Sequence, residues 1–571
     1  MDPRQDPGAL IDRDRARLWL AGVAAQDPGS ALDALTTALA GMPGRGSFTA
    51  LTVLEILRAP MLGWIGQIAE RYSDKPLPLQ AVQMAALVSA DTASRALALA
   101  YRECAVASLA DRGEYHRHAA LAHQRAIAML VVALTQHLRA HRRHPEALWS
   151  PAHELIDSAL RLQLAEAPVR DSMHPDGRST VQATYARGLL LLAAGARSIT
   201  ARDFEHVCQL ALYFERKPVL LGGGAAPPES RVRHLREGAR EDALDVTALA
   251  KSVGGRLATL NRGEPVEVPA LTPAPGPQVM RNLYARLYSA WCARTNQRRF
   301  PRHRRSQDVF CAFEPEHVYA LLKRRPYSPP PPPKVYNHRE VANIYVTQTE
   351  APPIDQSHSP ESWRQVAGEL ERWQLIEESA TGMSIARAAG RSRVRRGQLV
   401  ALRMGDAGAA MVAEIRWAEE VPAGNGTTVE VGLEMLPGFA RAGAARYADA
   451  AMIARSAGQS GSSPALIVDS FSRNRGGPKP VDPLLSKTGR LLSLDEPVPA
   501  LPDIDVEMAD RQDGGARRRY SQNATIALPT GWIREGSEID FMDGAQPIRL
   551  RLGAVAARHG EFERFSFTLM P

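Results

Sequence analysis

The sequence predicts a multidomain α+β protein: an all-α N-terminal helical domain, then an antiparallel β-barrel, then a further β-rich C-terminal region. Residues 31–216 carry apolar side chains at helical spacing, interrupted only by short Gly- and Pro-containing breaks. Two stretches rich in Gly and Pro follow, at 222–228 and 263–278. After Trp373, apolar residues recur at alternate positions between glycines, which is typical of short antiparallel strands.

These changes of pattern divide the 571 residues into five segments. The expected segments are a flexible N-terminus (1–28), an α-helical domain (29–217), a Gly/Pro-rich linker zone with a helical segment (218–278), a β-barrel (279–440) with an insertion at about 318–368, and a C-terminal β-rich domain (441–571). The insertion contains the polyproline run Pro329–Pro333. We expect the C-terminal strands to form either a second, degenerate barrel or the completion of the first.

Composition narrows the function classes. Lys+Arg exceed Asp+Glu by 70 to 62, a net charge of +8 that is small for this length. Any affinity for anions should therefore come from local clusters of basic residues. The four cysteines lie far apart and form no zinc or disulfide pattern: Cys104, Cys208, Cys292 and Cys311. This usage fits a reducing cytosol.

No segment reads as a membrane anchor. The longest apolar runs, Ala126–Thr135 and Leu189–Ala194, are shorter than the roughly 20 residues that a bilayer requires. Met1–Arg13 is polar and lacks the apolar core of a signal peptide. We therefore expect a cytoplasmic protein without membrane insertion.

Two short motifs suggest a ligand site. Arg298–Arg302 (RRFPR) precedes a strand-like stretch, and Glu377–Gly382 (EESATG) follows another at Trp373–Ile376. The first resembles the RxxxR entry of the bacterial PilZ-domain family, and the second resembles its (D/N)xSxxG turn. Glu377 stands where that family has Asp or Asn. Three later segments follow in the order of later PilZ strands: Gly397–Val400, Ala413–Trp417 and Val431–Leu436.

The resemblance implies a PilZ-like barrel that binds cyclic di-GMP through Arg298, Arg302, Glu377, Ser379 and Gly382. Guanidinium groups can make bidentate contacts to phosphate and to guanine O6/N7, and each charge-assisted hydrogen bond contributes roughly 1.5–3 kcal/mol. In the family, the turn side chains face the donor edge of guanine, and the glycine lets the backbone approach. No cofactor, metal or catalytic residue is implied.

Both motifs have an ordinary interpretation as well. Arg294 with Arg298, and Arg391 with Arg395, show the same spacing; only the strand-like segment that follows favours Arg298 with Arg302. Glu377–Gly382 also fits a simple β-turn in which Ser379 makes a local backbone hydrogen bond.

The sequence thus favours a non-enzymatic signalling effector. Cyclic di-GMP would order the Arg298–Arg302 segment and alter how the helical domain presents a surface to an unidentified protein partner. One alternative is a ligand-free adaptor, a degenerate PilZ domain that docks another protein. A less favoured alternative is an RNA-binding module. The few aromatic residues among the arginines of the basic run Arg387–Arg396 argue against nucleic-acid binding.

Two further clusters contain residue types that can form metal or phosphate sites. Six histidines lie in the helical region: His116, His118, His123, His137, His141 and His144. Arginines surround them, which opposes cation binding, so a solvated basic face is expected instead of a metal site. Gly222–Gly224 lacks the pattern of a phosphate-binding loop.

Overall fold

The computed structural model describes most of the chain. The described residues are 10–111, 113–221, 231–237, 240–268, 271, 275–293, 300–330, 370–388, 392–404, 410–423, 426–436, 439–448, 461–469, 524–543, 547–559 and 562–570.

The N-terminal part is helical, as predicted. Its helices are α1 (Arg13–Val23), α2 (Pro28–Ala40), α3 (Phe48–Ala69), α4 (Ala81–Ala110), α5 (Ala119–Arg139), α6 (Glu146–Arg161), α7 (Val181–Ala193) and α8 (Ala201–Phe214), with the short strand pair β1 (Val169–Arg170) and β2 (Arg178–Ser179) before α7. Side-chain caps fix several helix starts: Asp12, Asp27, Ser47, Thr180 and Thr200 each accept a hydrogen bond from a first-turn amide. Helix α1 lies inside the segment 1–28 that the sequence predicted to be flexible, because Asp12 caps it and Trp19 is buried.

Helix α5 lies at the centre of this domain. It packs against α4, α6 and α7, and most of its side chains are buried on every face. A helix without an exposed face belongs in a core. Several of its polar residues are therefore buried too, including His123 and His137, and His141 just beyond the helix is 7% exposed. The expected solvated basic face was wrong for these three histidines, since sequence alone does not tell which faces of a central helix are covered.

A network of buried charges joins α5 to its neighbours. The Arg125 side chain is 2% exposed and contacts Glu55 of α3 at 2.9 Å and Asp171 at 3.0 Å. Arg58 of α3 contacts the same Asp171 at 2.7 Å. Burial opposes ionisation of Asp171, but the hydrogen bond from Arg58 and the charge of Arg125 outweigh it and hold the pKa of this carboxyl below its ordinary value.

The zone predicted as a linker contains regular structure. Strands β3 (Val219–Leu220), β4 (Val232–Glu237) and β5 (Arg240–Asp245) form a small antiparallel sheet in the order β3-β5-β4, and α9 (Thr247–Asn261) follows. The high Gly and Pro content of the zone concealed these strands, which are short and rich in charged residues. Helix α10 (Pro277–Leu287) then leads to the barrel, continued by one π-helical turn at Tyr288–Cys292.

Six strands close the first barrel. They are β6 (His303–Ala312), β7 (Glu371–Ser379), β8 (Gly382–Ala388), β9 (Leu399–Met404), β10 (Met411–Ala423) and β11 (Gly426–Met435), hydrogen-bonded in the order β10-β11-β8-β7-β6-β9. Alternate apolar residues of β7 and β11, including Trp373, Leu375, Val429 and Val431, are buried. Between β6 and β7 the chain forms α11 (Pro315–Lys323) inside the predicted insertion, and residues 331–369 of that insertion lie outside the described residues.

The C-terminal strands form a second closed barrel. They are β12 (Phe439–Tyr447), β13 (Ser462–Asp469), β14 (Thr525–Pro529), β15 (Glu538–Met542), β16 (Ile548–His559) and β17 (Phe562–Leu569), in the order β12-β13-β14-β17-β16-β15. Ile467, Ile526, Phe541 and Phe565 are central to its core. Of the two arrangements that the sequence left open, the separate barrel is the one observed.

The chain divides into two compact units. The first comprises Met1–Phe310, Glu371–Gln398 and Glu414–Glu434, and the second comprises Cys311–Leu370, Leu399–Ala413 and Met435–Pro571. The helical domain and the strands that carry the predicted turn thus belong to the same unit. Helix α11 belongs to the second unit, where it packs on β9, β12 and β13.

Among the described residues, two helical segments reach the length and apolar character of a membrane span by composition alone, α3 and Glu114–Arg139. Their apolar windows are 50% and 83% buried within the protein. The sequence-based expectation had placed the longest apolar runs below that length. A core helix of a folded domain meets the same criterion.

Removing the negative charge of Asp171 should destabilise the helical domain strongly. Asp171→Asn leaves Arg58 and Arg125 facing each other with only Glu55 as a counter-charge, and breaking such a buried pair costs about 3–5 kcal/mol. Urea denaturation followed by far-UV circular dichroism measures this loss. Asp14→Asn, at a carboxylate 89% exposed in its pair with Arg17, is the control and should leave the midpoint unchanged.

The same carboxylate also sets a pH dependence. Since its pKa is lower in the folded than in the unfolded chain, its stabilising contribution is complete above the ordinary value of 3.8 and is lost as the pH falls through the lowered pKa. A wild-type protein and an Asp171→Asn variant that lose equal stability on acidification through this range would contradict the assignment.

Candidate ligand-binding site

The predicted turn is the tight connection between β7 and β8. Ser379 pairs with Gly382 across the hairpin, and the Ser379 hydroxyl donates a hydrogen bond to the Gly382 carbonyl at 3.0 Å. Gly382 also pairs with Glu434 of β11, and a Cβ atom at Gly382 would lie 2.3 Å from the Leu433 carbonyl oxygen. The glycine is therefore required by the approach of the chain's own strand.

A bulge in β7 determines where the acidic residues of the turn point. The register shifts between Leu375 and Glu377, so that Ile376 is the extra residue. Trp373 and Leu375 face the core, and strict alternation would have turned Glu377 inward as well. With the bulge, the Glu377 side chain is 27% exposed and reaches a neighbouring strand entry.

That neighbour is Arg302, which immediately precedes β6. Its guanidinium forms an ion pair with the Glu377 carboxylate. A second ion pair lies beside it, near the turn: Arg305 of β6 contacts Glu378 at 2.9 Å. The structure thus brings Arg302 to Glu377, two residues from Ser379. Arg298 lies outside the described residues. We call Arg302, Glu377, Ser379 and Gly382 the hairpin site.

The arginines of β6 remain accessible in these ion pairs. The Arg302 side chain is 34% exposed, and that of Arg305 is 62% exposed. A guanidinium has five N–H donors, so a contact to one carboxylate leaves donors for another anion. The two glutamates nevertheless oppose anion binding here, because a phosphate must share or replace their positions around each arginine.

A shallow depression lies beside these residues across β6, β7 and β8. Its volume is about 430 Å³, and it is lined by Arg304, Arg305, Ser306, Gln374, Leu375, Ile376 and Ala386. The Gln374 amide donates to the Ser306 hydroxyl at 3.0 Å. Sequence reasoning missed Arg304, Arg305 and Gln374. The signal that could have found them is strand alternation, which places Gln374 on the outward face with Arg372.

In the basic run Arg387–Arg396, the Arg387 side chain makes contacts within the protein and does not form an open anion-binding surface. Arg387 of β8 forms an ion pair with Glu371 of β7, lies 4.6 Å from the Trp373 ring centroid and donates to the Ser392 carbonyl. The Ser392 amide in turn donates to Glu371 at 2.7 Å. This network holds the segment after β8 against the start of β7.

The next residue, Arg393, contacts the helical domain. Its guanidinium donates to the carbonyls of Pro76 at 2.6 Å and Pro78 at 3.1 Å and to the Gln83 side chain at 2.8 Å. Leu77 and Val394 exchange backbone hydrogen bonds of 2.7 and 2.8 Å. The segment after β8 is therefore hydrogen-bonded to the loop before α4.

A second contact joins the helical domain to β10 and β11. Arg143 pairs with Glu419 at 2.7 Å and with Glu430 at 3.0 Å. Arg197 lies over the Trp417 ring with its guanidinium carbon 4.0 Å from the centroid. Glu420 of β10 adds a further contact, since its side chain accepts a hydrogen bond from the Leu79 amide at 3.0 Å. The helical domain thus contacts both the segment after β8 and strands β10 and β11 within the first compact unit.

Comparison with known proteins concerns the helical domain. No curated protein matches the chain. The matching family model ends before the barrel strands, so it does not include the hairpin site. Residues 14–220 match the family model described as the cyclic-di-GMP receptor FimW, N-terminal domain.

Proposed function

We propose that the chain is a non-enzymatic cyclic di-GMP receptor whose ligand binds at the hairpin site of the first, PilZ-like barrel. The observation that carries the proposal is the placement of Arg302 against Glu377, beside the Ser379–Gly382 turn. The family description of residues 14–220 supports the same ligand from a separate part of the chain. The four widely spaced cysteines fit a reducing cytosol, and we place the protein there.

Binding would proceed by exchange of partners around the arginines. A ligand phosphate accepts hydrogen bonds from Arg302 and Arg298, and Glu377 is released from Arg302 toward the donor edge of a guanine. Ile376, the bulge residue that lines the neighbouring depression, offers apolar surface to one face of a base. Arg304 and Arg305 add positive charge on the same strand.

The bound state would be transmitted through the segment after β8. Contact of the ligand with Arg302 would shift β7 and with it Glu371, Arg387 and Ser392, the hydrogen-bonded group next to Arg393. Arg393 contacts the loop before α4, so the helical domain receives the change at Pro76–Gln83. The helical domain then presents its surface to a protein partner.

A ligand-free adaptor is the second candidate function. The observation that favours it is that Glu377 is already paired with Arg302 and that the Ser379 hydroxyl is bonded within its own turn. Both groups are then satisfied without a ligand. In that case the barrel serves only to dock a partner.

Replacing Arg302 should separate the two functions. Arg302→Ala removes charge-assisted hydrogen bonds of roughly 1.5–3 kcal/mol each, so affinity should fall by about tenfold or more. Isothermal titration calorimetry of the full chain with cyclic di-GMP measures it, with Arg262→Ala as the control, since Arg262 pairs with Glu264 on the helical side. If the wild-type chain gives no heat of binding at high ligand concentration, the ligand-free adaptor is favoured.

Neutralising Glu377 should have the opposite effect. Glu377→Gln removes the negative charge that competes with phosphate for Arg302, and affinity should rise by up to about tenfold. The control is Glu264→Gln, which removes a carboxylate from a comparable arginine pair away from the barrel. The amide oxygen introduced by Glu377→Gln can still accept a hydrogen bond from the guanine edge. A weaker ligand complex in this variant would therefore contradict the competition between Glu377 and phosphate for Arg302.

Removing Arg393 should uncouple the helical domain without loss of binding. Arg393→Ala deletes the contacts to Pro76, Pro78 and Gln83, while the hairpin site is intact. Hydrogen–deuterium exchange of residues 73–83, measured with and without cyclic di-GMP, should change in the wild type and in the control Arg416→Ala but not in Arg393→Ala. An unaltered ligand response in Arg393→Ala would exclude this route.

A further inference from the structure

Helix α4 has two distinct faces. One face is buried against α2, α3 and α5. The opposite face carries a row of side chains at alternating intervals of four and three residues: Val88, Thr92, Arg95, Leu99, Arg102 and Val106. This is the spacing of the a and d positions of a coiled-coil seam. We call this row the α4 stripe.

The apolar members of the α4 stripe are open to solvent. Val88 is 51% exposed, Leu99 is 48% exposed and Val106 is 64% exposed. Isolated exposed apolar residues are ordinary, but a regular row along one helix is typical of an interaction surface. No other helix of the described chain carries three such residues.

A groove runs along the middle of the stripe. It has a volume of about 430 Å³ and lies between α4, α5 and α6. Its walls include Leu99 of α4 and Pro151 of α6, and its floor is formed by the buried side chains Leu130, Leu148 and Leu155. An amphipathic helix that inserts apolar side chains at heptad spacing fits such a groove.

The charge of the groove selects among possible occupants. The charged side chains that line it are both arginines, Arg95 and Arg102, and they are 49% and 41% exposed. Arg95 contacts Asp91 at 3.6 Å and Arg102 contacts Glu154 at 2.6 Å, and a guanidinium with five N–H groups keeps donors for a further acidic partner. Self-pairing of two stripes would gather the arginines of both copies in one seam, where like charges repel. Acidic residues flanking an apolar row complement this surface.

We propose that the α4 stripe and its groove dock an amphipathic helix of a partner protein, with apolar residues at heptad spacing and acidic residues beside them. Leu99 is the central apolar contact, and Arg95 and Arg102 pair with the acidic flanks. This docking surface does not depend on cyclic di-GMP and stands apart from the hairpin site.

The test uses the full chain and two synthetic helical peptides, each of three heptads with Leu at positions a and d. One peptide has Glu at positions e and g, and the other has Lys there. Fluorescence anisotropy should show micromolar binding of the Glu peptide and at least about tenfold weaker binding of the Lys peptide. Leu99→Asp should weaken binding of the Glu peptide by about tenfold or more. The double variant Arg95→Glu with Arg102→Glu should reverse the preference.

Leu18→Asp is the matched control, because Leu18 is a leucine of α1 that is 71% exposed and lies outside the groove. It should leave peptide affinity unchanged, and circular dichroism verifies that each variant is folded. Equal binding of both peptides, or none, would overturn the proposal. Sedimentation equilibrium that shows a dimer dissociated by Leu99→Asp would assign the surface to a second copy instead. Calorimetry of Leu99→Asp with cyclic di-GMP should give the same result as the wild type, because the substitution lies outside the hairpin site.

Discussion

The charge of Arg125 is the constraint around which the helical domain is built. Its side chain is 2% exposed, and an ion removed from water at that depth requires close counter-charges. Glu55 and Asp171 supply them from two other parts of the chain, and Arg58 shares Asp171. These groups keep the charges compensated only in one arrangement of α3, α5 and residues 170–171. Any change in the relative positions of these segments would leave a buried charge without its partner.

Two contacts between the helical domain and the barrel strands differ in the groups that form them. The contact of Arg143 and Arg197 with β10 and β11 uses ion pairs and an aromatic ring on regular strands. Arg393 instead belongs to a segment held by Glu371 and Arg387, at the ends of the two strands that form the hairpin. Both contacts are linked to the strands that carry the hairpin site, because Glu430 of β11 lies opposite Ala386 of β8, and Arg387 follows Ala386 on the same strand.

Sequence patterns predicted the parts of this molecule that depend on local periodicity. Helices α2 to α8, the alternating strands and the Glu377–Gly382 turn follow from spacing of apolar residues and glycines. The bulge at Ile376 did not follow, because one extra residue in a strand leaves composition unchanged while redirecting Glu377. The contact of Arg393 with Pro76 also escaped, since backbone carbonyls that accept from a residue more than three hundred positions away leave no sequence pattern. Sequence patterns likewise did not predict that His123, His137 and His141 are buried.

Helix α4 connects features that lie far apart. It spans 30 residues, a length of about 45 Å, and its first turn includes Gln83, which Arg393 holds. Leu99 and Val106 lie near its other end. A straight helix of this length acts as a mechanical arm: a tilt of about 5° at the first turn displaces the last turn by about 4 Å. Because α4 packs against α2, α3 and α5 along one face, such a tilt would carry those helices with it, and the helical domain would turn as a whole.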